Sequence, residues 1–179
     1  MGRDSKLISD AYRAEQKKLH ENPDYGVASI MYAPLVIAAL NGTAAKEMLD
    51  YGAGKGRLAE QVNRVLGARA PLVHEYEPSD QEKAAVPAPC EFVACIDVLE
   101  HVEPECLDAV LDDLQRVVAK SGLFTVHTGP AQKALSDGRN AHLIQEDAEW
   151  WLRKLLPRFE LIHFTRLTNG FWVGVKKKK

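Results

Sequence analysis

The segment "EMLDYGAGKGRLAEQV", residues 47–62, decides how this chain is read. An apolar pair, Met48-Leu49, runs into an acid, Asp50. Gly52, Gly54 and Gly56 then alternate with Ala53 and Lys55, and an amphipathic stretch begins at Arg57. That order predicts a short buried strand, a tight turn, and a helix with Leu58, Val62 and Val65 on its inner face and Gly67 as its stop. Glycine tolerates positive φ and lets a ligand approach backbone that a Cβ would shield. The carboxyl end of a strand in an open α/β sheet is where such folds bind ligands. A P-loop needs GxxxxGK[ST], and here Lys55 is followed by Gly56. A dinucleotide fingerprint needs a glycine where Arg57 stands. A purely structural turn remains the alternative. Asp50 would repel a pyrophosphate, but it suits a ligand carrying an ammonium or sulfonium.

Working outward, residues 5–20 place Leu7, Ile8, Ala11, Tyr12 and Leu19 at helical spacing, and Asn22-Pro23-Asp24 ends that helix. A second helix spans residues 27–40 and stops at Asn41-Gly42. "APLVHEYEP" reads as a strand closed by Pro78. Glu77 at its tip is placed to accept both hydroxyls of a ribose. "SDQEKAAVPAPC" reads as loop and "EFVACIDVL" as a buried strand. Residues 103–122 read as a helix with Pro104 in its first turn and Arg116 and Lys120 near its end. "LFTVHT" is a strand, residues 129–143 are a loop with or without a short helix, and "QEDAEWWLRKLLPR" is an amphipathic helix. "FELIHFTRL" and "FWVGVKK" form a hairpin turned at Asn169-Gly170. Strands alternating with helices predict an α/β fold: a mostly parallel sheet, helices on both faces, and an antiparallel C-terminal hairpin strand.

The bulk numbers suit one globular domain. The chain has 179 residues, 46% hydrophobic and 27% charged, with a formal net charge of -2. That charge gives no electrostatic footprint for nucleic acid over the whole chain. Cys90, Cys95 and Cys106 are odd in number and show no CxxC spacing, which predicts reduced thiols in a cytoplasmic protein rather than a zinc site. No apolar run resembling a secretory signal opens the sequence. The longest apolar stretch, residues 30–40, contains Pro34 and is too short to span a bilayer. Residues 1–42 are expected to cover a cleft, residues 43–175 to form the core, and Lys176 to Lys179 to form a solvated basic tail. No obligate protein partner is evident.

These motifs carry a family resemblance. "LDYGAGKGRLAEQV" resembles the first motif of the class I S-adenosylmethionine-dependent methyltransferases. "VHEYEP" is similar to their second motif, and "FVACIDVLEHV" to the motif that follows their fourth strand. "LFTVHT" matches the fifth strand, and the Asn169-Gly170 hairpin fits the antiparallel last strand of this Rossmann-like three-layer sandwich. The likeness covers roughly residues 25–175. With Tyr25-Gly26 and "DGRNAHLIQEDAEWW", the whole chain resembles small methyltransferases of phages and prophages. The resemblance implies S-adenosylmethionine as cofactor. It implies that Asp50, Gly52, Ala53 and Gly54 hold the methionine end, that Gly56 shapes the loop, and that Glu77 binds the ribose. Asp97 and Val98 then line the methyl-transfer site, and Tyr25 covers the cofactor. One departure stands out. The family usually has helix, strand and helix between its second and fourth strands, and residues 78–91 are too few, so the third edge strand is expected to be missing.

Methyl transfer is an in-line displacement at sulfur, and a hydroxyl or ammonium acceptor also needs a base. His101 and His142 both fall over the carboxyl edge of the sheet, and each titrates near neutral pH. With Asp97 they are the candidate catalytic residues; for His101 the alternative is that LEH is a packing motif. Arg139 and Asn140, in the same loop as His142, are candidate substrate contacts, Arg139 toward an anionic group. The expected acceptor is a small molecule or a nucleotide-type compound, methylated on oxygen or nitrogen. No metal is expected. The alternative is a resemblance to the metal site of RNA 2′-O-methyltransferases: their ExxEH motif would map onto Asp97, Glu100 and His101, with His142 as a further ligand. A further alternative is a catalytically silent S-adenosylmethionine-binding protein. Asp108, Asp112 and Asp113 read as a solvated helix face, and His127, Cys95 and His163 as packing residues. Of Trp150 and Trp151, one is expected in the core and one partly exposed.

Overall fold

The computed structural model describes residues 7–22 and 25–178. Its elements run α1 (Asp10–Glu21), α2 (Ala28–Asn41), β1 (Glu47–Tyr51), α3 (Arg57–Leu66), β2 (Leu72–Tyr76), β3 (Cys90–Ile96), α4 (Leu107–Val117), β4 (Val118–His127), α5 (Ala148–Leu155), β5 (Phe159–Leu167) and β6 (Gly170–Lys177). They build a six-stranded sheet of order β2-β1-β3-β4-β6-β5. β2, β1, β3 and β4 are parallel, and β6 runs antiparallel between β4 and β5. β2 is the sheet edge, and residues 77–89 turn back without a strand, as the short spacing predicts.

The strand pleat sorts side chains to two cores. On one face Met48, Phe92, Ala94 and Ile96 meet Val36, Leu40, Leu58 and Val62 of α2 and α3. On the other, Leu49, Val93 and Cys95 meet Leu111 and Leu114 of α4 and Trp151 and Leu155 of α5. A central parallel strand covered on both faces must be apolar throughout, and β3 is buried at every position except Glu91. α1 belongs to neither core. Ile8 and Tyr12 pack instead with Leu135 and Ala141 of the long loop after β4.

Several details differ from the sequence reading. The inner face of α3 is Leu58, Val62 and Leu66, while Val65 is 53% exposed. α4 ends at Val117, and Lys120 lies in β4, because pairing of Val118 with Cys90 of β3 captures this β-branched stretch. Pro104 sits in a 3-10 turn just ahead of α4. Asp108 and Asp112 are exposed, yet Arg158 pairs with both. Asp113 is 3% exposed and not part of a solvated face: it accepts from the Tyr51 hydroxyl (3.1 Å) and from Arg116 Nε (2.9 Å). Residues 129–143 form no helix; a bridge between Ala134 and Asn140 closes them into a hairpin-like loop. Lys176 and Lys177 belong to β6 rather than to a tail. The expected start of the first helix at Ser5, its break at Pro23-Asp24 and Lys179 lie outside the described residues. Trp151 is fully buried and Trp150 partly so, as expected. The three cysteines are buried and unpaired. No helix among the described residues is long and apolar enough to cross a membrane.

Candidate active site

The tips of β1, β2 and β3 open into a cleft of about 1010 Å³, counted out to its mouth. Gly52, Ala53 and Gly54 form its floor and Glu77 one wall. Asp97, Val98 and His101 form the opposite wall. The roof is the inner face of α1 (Tyr12, Gln16 and His20) together with Tyr25.

The glycine loop is fixed by β2. The N–H groups of Gly52 and Ala53 both donate to Tyr76 O, at 2.8 and 2.9 Å. Gly52 has φ +83°, and a Cβ there would lie 2.4 Å from Val98 Cγ2, so the second residue after β3 closes against bare backbone. Gly56, at φ +77°, caps α3, and its missing Cβ leaves room for Glu75 Oε1. Lys83 reaches under the loop, donating to Gly54 O (3.1 Å) and Glu75 Oε1 (3.2 Å).

Glu77 is buried, yet its carboxylate faces the cleft. Oε1 accepts from Ser79 N–H (3.0 Å) and Ser79 Oγ–H (2.6 Å), and Oε2 accepts from Gly54 N–H (3.1 Å). Asp50 is also buried but does not line the cleft. It lies in register with Glu75 of β2 and Ala94 of β3, and its Oδ2 has no partner. Burial, reinforced by the neighbouring Glu75 charge, pushes its carboxyl up to about 7, against the pull of Lys83.

The far wall is built on strain. Asp97 holds φ 59°, the one positive φ outside glycine among the described residues, and its N–H donates to the buried Thr125 Oγ1 (2.9 Å). Such a conformation costs about 1 kcal/mol or more and tends to mark functional positions. His101 Nδ1 donates to Ala141 O (2.8 Å), which leaves Nε2 facing Asp97 Oδ2 at 4.0 Å. Burial would raise the Asp97 carboxyl, but its interaction with the neighbouring His101 ring outweighs that and holds it below its ordinary value. Glu100 is fully buried and pushed well up by that burial and by the Asp97 charge.

The candidate residues thus divide. Gly52, Ala53, Gly54, Glu77, Asp97, Val98, His101 and Tyr25 line one cleft; Gly56 and Asp50 support it from outside. His142 is 6% exposed and sits behind His101, with ring centroids 4.7 Å apart. Its ring is lowered chiefly by burial. Arg139 is exposed and paired with Asp137 at 2.7 Å. The Asn140 amide is committed to the loop: Oδ1 accepts from the N–H groups of Ala131 and His142, and Nδ2 donates to Ala131 O. Neither lines the cleft. Sequence reading expected residues 1–42 to cover a cleft but did not single out Tyr12, Gln16 and His20, whose recurrence every four residues is the signal for one lining face. It also missed Glu103, which anchors α1 by accepting from Ser9 N–H (2.7 Å) and Ser9 Oγ–H (2.6 Å). His127, read as packing, joins the histidine group with its ring 4.8 Å from that of His142. His163 stacks on Trp172 at 4.2 Å, far from the cleft along the sheet.

Comparison with known proteins agrees with this fold. The family model described as a methyltransferase domain matches residues 28–169. Among curated proteins, none matches by sequence. Among solved structures, the 1,6-didemethyltoxoflavin-N1-methyltransferase of Burkholderia thailandensis is 17% identical, with a TM-score of 0.66 over 96% of this chain and 91% of that one. A SAM-dependent methyltransferase from Aquifex aeolicus is 13% identical, with a TM-score of 0.60 over 93% and 98%. Magnesium protoporphyrin IX methyltransferase of Synechocystis PCC 6803, with bound SAM, is 15% identical, with a TM-score of 0.52 over 98% and 95%. At these identities the likeness is one of fold. The family match spans most of the chain, and the chain therefore belongs to the methyltransferase-domain family.

Proposed function

We propose that the protein transfers a methyl group from S-adenosylmethionine to an oxygen or nitrogen of a small-molecule or nucleotide-type acceptor. The observation that carries this reading is the pairing of two unlike walls across one cleft: bare glycine backbone with Glu77 on one side, Asp97 and His101 on the other. In this reading Glu77 exchanges its Gly54 N–H partner for ribose hydroxyls. Gly52 and Ala53 leave room for the methionine end, and Asp50 adds buried negative charge near the cationic sulfur. Displacement at sulfur needs the acceptor atom held about 3–3.5 Å from the methyl carbon, in line with the leaving sulfur, and shielded from water. The α1 roof and Tyr25 supply the shielding. His101 takes the acceptor's proton: the Ala141 carbonyl fixes its proton on Nδ1, so Nε2 carries the lone pair on the cleft side. The B. thailandensis relative carries a small heterocyclic substrate with S-adenosylhomocysteine, which is consistent with a small-molecule acceptor here. Buried, unpaired Cys90, Cys95 and Cys106 fit action in the reducing cytoplasm.

The test is incubation with methyl-labelled S-adenosylmethionine and fractionated cell extract. Label is expected in a low-molecular-mass fraction and absent with His101→Ala. Label only in protein, or in no fraction despite saturable cofactor binding, would refute the proposal.

A further inference from the structure

Beyond β3 the ligand atoms of two carboxylates and an imidazole converge. Asp97, Glu100 and His142 each offer one ligand atom, and these atoms all lie within 4.8 Å of one another. The His142 tautomer is set from behind. A carbonyl only accepts, so Nδ1–H donates to Gly129 O (2.7 Å), and Nε2 keeps the lone pair. His127 Nδ1 lies 3.1 Å from both the N–H and the carbonyl oxygen of Gly129. Glu100 is fully buried; Oε1 accepts the His127 N–H (2.5 Å), while Oε2 has no partner. A buried carboxylate oxygen without a donor is costly, and a second carboxylate beside it adds repulsion. The backbone carbonyl behind the imidazole is the arrangement that orients histidines toward metal ions.

We propose that Asp97, Glu100 and His142 hold a divalent cation at the acceptor side of the cleft. A dication would neutralise both carboxylates and accept the imidazole lone pair at once. Two oxygens and one nitrogen favour Mn²⁺ or Zn²⁺ over Ca²⁺, which takes oxygen ligands alone. Three protein ligands leave positions open. Asp97 also lines the cleft, so an acceptor oxygen or nitrogen completes the shell there, polarised by the ion and more easily deprotonated. The site itself rests on the side chains; only this use of the ion rests on the methyl-transfer reading.

The experiment is calorimetric titration of Mn²⁺ and of Zn²⁺ into the full chain, with the Mn²⁺ electron paramagnetic resonance signal as a second readout. One ion per chain is expected. Glu100→Gln, Asp97→Asn and His142→Gln should each weaken binding at least about tenfold, with near-ultraviolet circular dichroism confirming the fold. Asp108→Asn, an exposed acid on α4, serves as control and should bind as the parent does. No saturable binding of either ion overturns the proposal, as does undiminished binding in any correctly folded member of the three. Binding that follows this pattern in a protein that methylates nothing supports the site and removes the proposed function instead.

Discussion

Replacing Gly52 with alanine tests how the cleft is closed. The residue holds φ +83°, where a Cβ costs about 1–2 kcal/mol. The added methyl would stand 2.4 and 2.9 Å from the two γ-carbons of Val98. Carbon atoms prefer about 3.5–4.0 Å, so the overlap is about an ångström. Valine has little χ1 freedom to escape, and such overpacking costs about 1–3 kcal/mol. Together the loss is about 2–5 kcal/mol. For a chain of this size that is a fall in Tm of about 4–20 °C. Calorimetry should show it, and S-adenosylhomocysteine affinity should drop at least about tenfold, because Gly52 lines the cleft. Adding Val98→Ala removes both γ-carbons and should restore the packing part of the loss but not the φ part. A Gly52→Ala protein that melts with the parent and binds S-adenosylhomocysteine equally, or a double variant with no recovery, would refute the reasoning.

Three further outcomes are expected. The Asp50 carboxyl is raised by folding from 3.8 to about 7, so the native state keeps a proton that the unfolded chain releases. The resulting penalty is absent below about pH 4, grows as pH rises, and is complete above about pH 7, where it reaches up to about 4 kcal/mol. Denaturant titrations should therefore find Asp50→Asn stabilised relative to the parent at pH 8 but not at pH 4; equal differences at both would exclude a raised carboxyl. His101→Ala should cut turnover about 10²–10⁴-fold with S-adenosylhomocysteine affinity retained, and unchanged turnover would remove it as the base. Asp113→Ala breaks the buried contact with Tyr51 and Arg116 and should cost about 1–3 kcal/mol in urea unfolding; a cost near zero would mean that the contact is not formed in solution.

The strand, loop and helix around Asp50 were legible because three local signals agree there: an apolar run, a run of glycines, and a 3.6-residue period. The shortened edge was legible from spacing alone, since residues 78–91 cannot hold helix, strand and helix. Long-range pairing was not legible. Ala119 and Lys120 look helical in isolation, yet β3 recruits them into β4. Asp113 looks like its exposed neighbour Asp112 until α4 is turned against Tyr51. The cleft floor could be read because its residues are consecutive. For the roof only the segment could be read and not its lining residues, because α1 meets the long loop across more than a hundred residues, through contacts such as Ser136 N–H to Glu15 (2.8 Å). His142 could be named as a candidate from the sequence, but its contact with Gly129 and its approach to Glu100 appear only once the sheet brings them together.

The most direct measurement is a crystal structure of the full chain grown with S-adenosylhomocysteine. The nucleoside should lie across Gly52 to Gly54, with its ribose hydroxyls on Glu77 and its sulfur facing Asp97 and His101. A nucleoside bound elsewhere, or Val98 and Tyr25 filling the cleft at saturating ligand, would contradict the account.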